Sequence, residues 1–93
     1  MNHVRYKMVA DYPLYYVSIY KSEQEGTYVA EVEQMSVGWY PAFYKLGKKE
    51  VTLFESKRAE FDNSAVNRLC RMHGPGIDGV QRDGDDILVP SES

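Results

Sequence analysis

This 93-residue chain has one cysteine, Cys70, so it cannot close an internal disulfide and nothing in it calls for an oxidising compartment. Its two histidines and one cysteine show no Cys-x-x-Cys or His-x-x-x-His spacing, so neither a metal nor another cofactor is expected. No apolar run approaches the roughly 20 residues that span a bilayer. The first seven residues lack the apolar stretch of a signal peptide. The expectation is a soluble, cytoplasmic protein with no membrane partner. A basic surplus is missing too. The net charge is −3, whereas bulk attraction to nucleic acid needs clustered Lys and Arg. The carboxylates are also too sparse for a DNA mimic.

Hydrophobic residues make up 43% of the chain and charged residues 27%, ordinary values for a globular protein. The length suits one domain over residues 1–90 with a tail at 91–93, burying roughly 60–68% of the unfolded surface. Aromatic content is high, with eight tyrosines. A tyrosine combines a large apolar body with a polar tip and suits surfaces that are part buried and part wet.

The pattern along the chain predicts an α+β fold. A small antiparallel sheet of about four to five strands carries one short helix on one face. Residues 3–9 alternate, with Val4, Tyr6 and Met8 in phase, and read as a first strand ended by Asp11-Tyr12-Pro13. Residues 14–21 and 27–34 read as a hairpin turning at Gly26. Residues 37–44 are β-rich but contain Pro41, and read as an edge strand or a wide irregular loop. Residues 50–55 read as a further strand with Val51 and Leu53 in phase. Asp62-Asn63-Ser64 supplies N-capping residues for a helix with Val66, Leu69, Cys70 and His73 on one side, stopped by Gly74-Pro75. Val80 and Ile87-Leu88-Val89 flank a turn at 82–86 and make a final hairpin.

The central hairpin sorts its side chains by face. Tyr15, Val17 and Ile19 join Tyr28, Ala30 and Val32 on an apolar face suited to a core. The other face carries Tyr16, Ser18 and Tyr20 beside Thr27, Val29, Glu31 and Glu33. Tyrosines beside carboxylates suit a binding surface, since tyrosine anchors are typical of interface hot spots. Glu31 and Glu33 favour a basic partner. Ordinary cross-strand tyrosine packing, or cover by the 37–44 segment, would explain the same residues equally well.

Other candidates are weaker. Cys70 lies on the predicted core side of the helix, where a cysteine behaves as an inert small hydrophobe. Asp78, Asp83, Asp85 and Asp86 lack the ligand array of a calcium loop and read as a solvated turn. The glycines at 74–79 follow a helix rather than open one, so they do not cradle phosphate. Lys45, Lys48, Lys49, Lys57, Arg58, Arg68 and Arg71, near Trp39, Tyr40, Phe43 and Tyr44, would suit a single-strand nucleic-acid platform, or ordinary surface and core. Acid, base and nucleophile do not converge, so an enzyme is not expected.

Two family resemblances follow from these residues. Tyr16-x-Ser18-x-Tyr20, then Gly26-x-Tyr28-Val-Ala-Glu-Val32, resembles the opening hairpin of HicB-type antitoxins over about 20 residues. A longer series is similar to the small type I-F anti-CRISPR proteins of phages. It runs through Val4-Arg-Tyr6, the strand ending in Tyr20, the Gly26-Thr27 turn, Val32-Glu33-Gln34, Phe61-Asp-Asn63 before a helix, and Gly74-Pro-Gly-Ile77 with Val80 after it. That resemblance implies a non-catalytic inhibitor that binds a guide-RNA surveillance complex in the host bacterial cytoplasm and blocks target DNA. It also implies that contact falls to Tyr6, Tyr20 and Glu33. The expected partner-binding set is therefore Tyr6, Tyr16, Tyr20, Glu31 and Glu33. The alternative is a nucleic-acid-binding or antitoxin-like regulator.

Overall fold

Period-two alternation over most of the first 35 residues becomes three strands, and three more complete a single antiparallel sheet. The computed structural model describes residues 2–35 and 38–91. The strands are β1 (His3–Tyr12), β2 (Val17–Lys21), β3 (Tyr28–Met35), β4 (Trp39–Lys45), β5 (Gln81–Asp83) and β6 (Asp86–Pro90). Their order across the sheet is β4-β3-β2-β1-β6-β5. Helix α1 (Lys48–Ser56) and a helical segment over 58–69, here α2, join β4 to the final hairpin. The fold is α+β as expected, with six strands rather than four or five and two helices rather than one.

Strand β1 is the hinge of the architecture. Its first half pairs with β6 (Tyr6 opposite Ile87) and its second half with β2 (Tyr12 opposite Val17). Between Met8 and Ala10 the register slips by one residue. An extra residue in a strand sends every later side chain to the opposite face. Val4 and Tyr6 therefore enter one core, and Ala10 and Tyr12 pack on the other.

The first core lies between the sheet and the helices. Val17, Ile19, Tyr28, Ala30, Val32, Ala42 and Tyr44 meet Phe54, Phe61, Ala65, Val66 and Leu69. Phe54 and Phe61 stack edge to face at 4.9 Å. Each fully buried phenylalanine contributes about 1.5–3 kcal/mol. The second core lies on the other side of the sheet, where Ile77 and Val80 pack against Val4, Tyr6, Tyr20, Val29, Phe43, Ile87 and Val89. Ile77 N–H donates to Phe43 O at 2.7 Å, so the chain beyond α2 runs along β4.

Several expectations change. Residues 50–55 are helical, not a strand: Glu50 at the third position of α1 accepts the Gly47 N–H at 3.0 Å, capping the first turn. The Val51/Leu53 alternation concealed the Val51–Phe54 spacing of three, which puts both on the core. Asp62-Asn63-Ser64 does not cap a helix. The segment begins earlier, as Arg58–Glu60, passes through a π turn at Phe61–Ala65, and continues as Val66–Leu69. Leu14 to Tyr16 are not strand either. Pro13–Tyr15 is a 3-10 turn, and Tyr16 adopts the left-handed conformation (φ 57, ψ 40). Trp39–Lys45 is an edge strand, the position that tolerates Pro41. Val37, where that segment was expected to begin, lies outside the described residues, as do residues 92–93 of the expected tail. Ser91 N–H donates to Asn2 O at 2.8 Å, so the pairing beside β1 extends one residue past β6.

Candidate functional site

The sheet face that carries the expected contact residues is divided by the sheet's curl. Positions 18 and 20 on β2, 29, 31 and 33 on β3, and 39, 41 and 43 on β4 share that face by pairing register. At one end it is closed by the second core. Tyr20 is 1% exposed there, Val29 and Phe43 are buried, and Tyr6 is buried beside them. At the other end it is open.

Glu31 marks the boundary. Its carboxylate accepts the Tyr20 hydroxyl at 2.8 Å and two hydrogen bonds from Arg82, the shorter at 2.7 Å. Arg82 belongs to β5, so this ion pair fastens the final hairpin across the sheet. Burial, and then the hydrogen bond to Glu31, push the Tyr20 hydroxyl up to about 12. Glu31, first, and then the Tyr20 hydroxyl hold the Arg82 guanidinium above its ordinary value against the opposing effect of burial. Tyr6 donates to or accepts from the Thr27 hydroxyl at 2.6 Å. Tyr6, Tyr20 and Glu31 thus have structural roles. Tyr6 and Tyr20 are taken up by the second core and leave the expected contact set, while Glu31, already paired with Arg82, only lines the edge of the open end. The cause is the final hairpin, which was expected, but whose first strand (Gln81–Asp83) overlaps the expected turn at 82–86 and whose placement over this face was not legible.

Tyr16 and Glu33 remain at the open end. Tyr16 is 54% exposed, and its ring lies 5.1 Å from that of Trp39, itself 57% exposed. Its carbonyl accepts the Glu33 N–H at 3.0 Å, which ties the turn to β3. Around this pair the surface is unusually apolar. Leu14 is 91% exposed, and Tyr15, Tyr40 and Met72 are also exposed. Leu14, Tyr15, Tyr16, Trp39 and Met72 line one shallow hollow, while Tyr40, opposite Gln34, lies on the other face of β4; exposed apolar surface gathered in this way often marks an interaction site.

The patch has a rigid floor. Gln34 Nε2 donates to the Tyr44 hydroxyl at 2.6 Å and to Met72 O at 2.8 Å, and Gln34 Oε1 accepts the Tyr40 hydroxyl at 3.1 Å. This network joins β3, β4 and the chain just beyond α2. Leu14, Trp39 and Tyr40 were not in the expected binding set. A Leu-Tyr-Tyr run after Pro13, and the one tryptophan placed near a proline on an edge strand, were the available signals.

Other arrangements carry less. Of the residues weighed as a platform for a nucleic-acid strand, Arg58 stacks on the Phe54 ring at 3.5 Å and Phe43 and Tyr44 are buried, whereas Trp39 and Tyr40 are exposed. A hollow of about 490 Å³ lies over the second core, lined by Val4, Tyr6, Val29 and Ile77, with Glu25 and Lys45 supplying opposed charges. Cys70 is half-buried at the edge of the patch, and its thiol donates to Asn67 O at 3.0 Å. Among the described residues, no group of three or more His, Cys, Asp or Glu side chains gathers to hold a metal ion, and no helix is long and apolar enough to cross a membrane. Comparison with protein-family models, with curated proteins and with solved structures returned no match.

Proposed function

We propose that this chain is a small non-catalytic inhibitor that binds a protein partner through the open sheet end, with Tyr16, Glu33 and Trp39 at the contact. The observation that carries this reading is the exposed Tyr16–Trp39 pair set among Leu14, Tyr15 and Met72. Trp and Tyr dominate interface hot spots because each buries a large area at small entropic cost. Charge supports a basic partner surface, since Asp11 and Glu33 line one hollow with Tyr16. The same carboxylates disfavour phosphate, and with it the nucleic-acid alternative.

The anti-CRISPR resemblance supplies the partner class, a guide-RNA surveillance complex whose access to target DNA the bound protein would block. In this reading Trp39 takes the anchoring role that the resemblance gave to Tyr6 and Tyr20. The test is a gel shift of target DNA with a purified type I-F surveillance complex. Preincubation with the wild-type protein is expected to abolish the shift, and Trp39→Ala to restore it. A complex that neither binds the protein nor loses DNA binding overturns the CRISPR assignment. A pull-down from host lysate that yields only nucleic acid overturns the protein-binding reading as well.

A further inference from the structure

We infer that the open end recognises an arginine beside an apolar residue in its protein partner, the guanidinium seated against Tyr16 between Asp11 and Glu33 and the apolar side chain beside Trp39. This rests on the protein-binding reading above and gives the partner segment its chemistry.

Tyr16 and Glu33 stand between two hollows that share them. One, of about 260 Å³, is lined by Asp11, Pro13, Tyr16, Ser18, Glu31 and Glu33. The other, of about 290 Å³, includes Leu14, Tyr15, Trp39 and Met72 in its lining. The first hollow is acidic with an aromatic side, and the second is largely apolar. A partner segment lying across Tyr16 would place one side chain in each.

The charges select the first side chain. Three ion pairs occur among the described residues, Arg5–Asp83, Arg5–Asp86 and Arg82–Glu31. Glu31 is therefore neutralised from within the fold. Asp11 and Glu33 have no cation among the described residues. Asp11 is oriented by the Ser18 hydroxyl, which donates to Oδ1 at 2.9 Å. Two uncompensated carboxylates beside an aromatic ring attract a cation through both charge and the ring quadrupole. A guanidinium suits them better than an ammonium. It is planar, stacks on a ring, forks to more than one carboxylate oxygen, and loses less hydration. A second copy of this chain is a poor occupant, because a two-fold contact through this face would bring Glu33 toward its own equivalent.

The backbone points the same way. Tyr16 holds a positive φ, which costs a non-glycine residue about 1–2 kcal/mol. Tyr16 lines both hollows.

The experiment is an amide chemical-shift titration of the full chain with the peptide acetyl-Leu-Gly-Arg-Gly-amide, against the same peptide carrying citrulline for arginine. Citrulline keeps the shape and removes the charge. Saturable shifts at Asp11, Tyr16, Ser18, Glu33 and the Trp39 indole are expected, with the citrulline peptide about fivefold weaker or worse. An Asp11→Asn/Glu33→Gln variant that keeps the wild-type spectrum elsewhere should lose the preference for arginine. Equal binding of the two peptides, shifts confined to other surfaces, or no shifts at about 10 mM peptide each overturn the inference. The broader reading is separable. If a partner is captured by wild type, lost with Trp39→Ala and retained by Asp11→Asn/Glu33→Gln, protein binding stands and arginine recognition falls.

Discussion

Arg82 Nη2 lies 2.7 Å from Glu31 Oε2, joining an arginine side chain that is 49% exposed to a carboxylate that is 10% exposed. The pair spans 51 residues of sequence and fastens the final hairpin over the second core. Removing the arginine leaves a desolvated charge whose other hydrogen-bond donor is the Tyr20 hydroxyl. Breaking a fully buried pair from one side costs about 3–5 kcal/mol, and the half-exposed arginine lowers that here. Arg82→Met is therefore expected to cost about 2 kcal/mol in urea unfolding. In the Arg82→Met/Glu31→Gln double variant the buried charge is gone, and a coupling of about 1 kcal/mol should return. An Arg82→Met midpoint equal to wild type would show that the hairpin is held by apolar packing alone.

Alkaline stability should report the same cluster. Burial and the Glu31 hydrogen bond raise the Tyr20 hydroxyl to about 12, and burial and Asp62 do the same for Tyr12. An unfolded tyrosine releases its proton near pH 10. The folded chain then binds more protons than the unfolded chain between about pH 10 and 12, so its stability is full below that window and falls as pH rises through it. Each such tyrosine contributes a limiting slope of about 1.4 kcal/mol per pH unit. Thermal melting from about pH 9 to 12 should fall more steeply for wild type than for Tyr20→Phe. Parallel curves would place the alkaline loss elsewhere.

The sheet was readable in the sequence where one strand has one solvated or one buried face throughout. Val17, Ile19, Ala30 and Val32 fall where period two puts them, and Gly84 turns the last hairpin as expected. Helix α1 was misread because Val51 and Thr52 favour strand locally, while the deciding contacts are a cap from Glu50 and burial of Phe54 against Tyr28 and Phe61. The layout of the expected contact residues was readable only in part. Tyr16 and Glu33 lie on the open face, but the sequence could not say that residues 77–90 fold back over Tyr20 and Tyr6. That covering depends on the β1 bulge and on pairing between the two ends of the chain, neither of which leaves a local pattern.

The close approach of the 74–77 segment to β4 makes a further expectation. A Cβ on Gly76 would sit 2.4 Å from Phe43 O and 3.0 Å from Phe43 N, both backbone atoms that cannot rotate away. Gly76→Ala must lift the segment and weaken the bond from Ile77 N–H to Phe43 O. It should cost about 2 kcal/mol or more. Gly26→Ala meets open space and bears only the strain of φ +69, about 1 kcal/mol. Melting temperatures of the two variants should rank in that order, and the reverse order would contradict the packing of the segment on β4.

Tyr16 allows stability and binding to be separated at one position. Its left-handed backbone strains any side chain by about 1–2 kcal/mol, which glycine would relieve. Against that gain stand about 0.5–1 kcal/mol of extra unfolded-state freedom for glycine, and about 0.5–1.5 kcal/mol from the lost ring contact with Trp39. These terms nearly cancel, so Tyr16→Gly is expected to hold the wild-type stability within about 1 kcal/mol. Binding should behave differently. An exposed aromatic that is central to a contact costs about 2 kcal/mol when removed, or more than tenfold in affinity. The variant should therefore melt like wild type and fail to capture the partner. A variant that melts like wild type and still captures it removes Tyr16 from the contact. A variant that melts far lower would mean that the ring is held for packing, and that the strain at Tyr16 serves the fold.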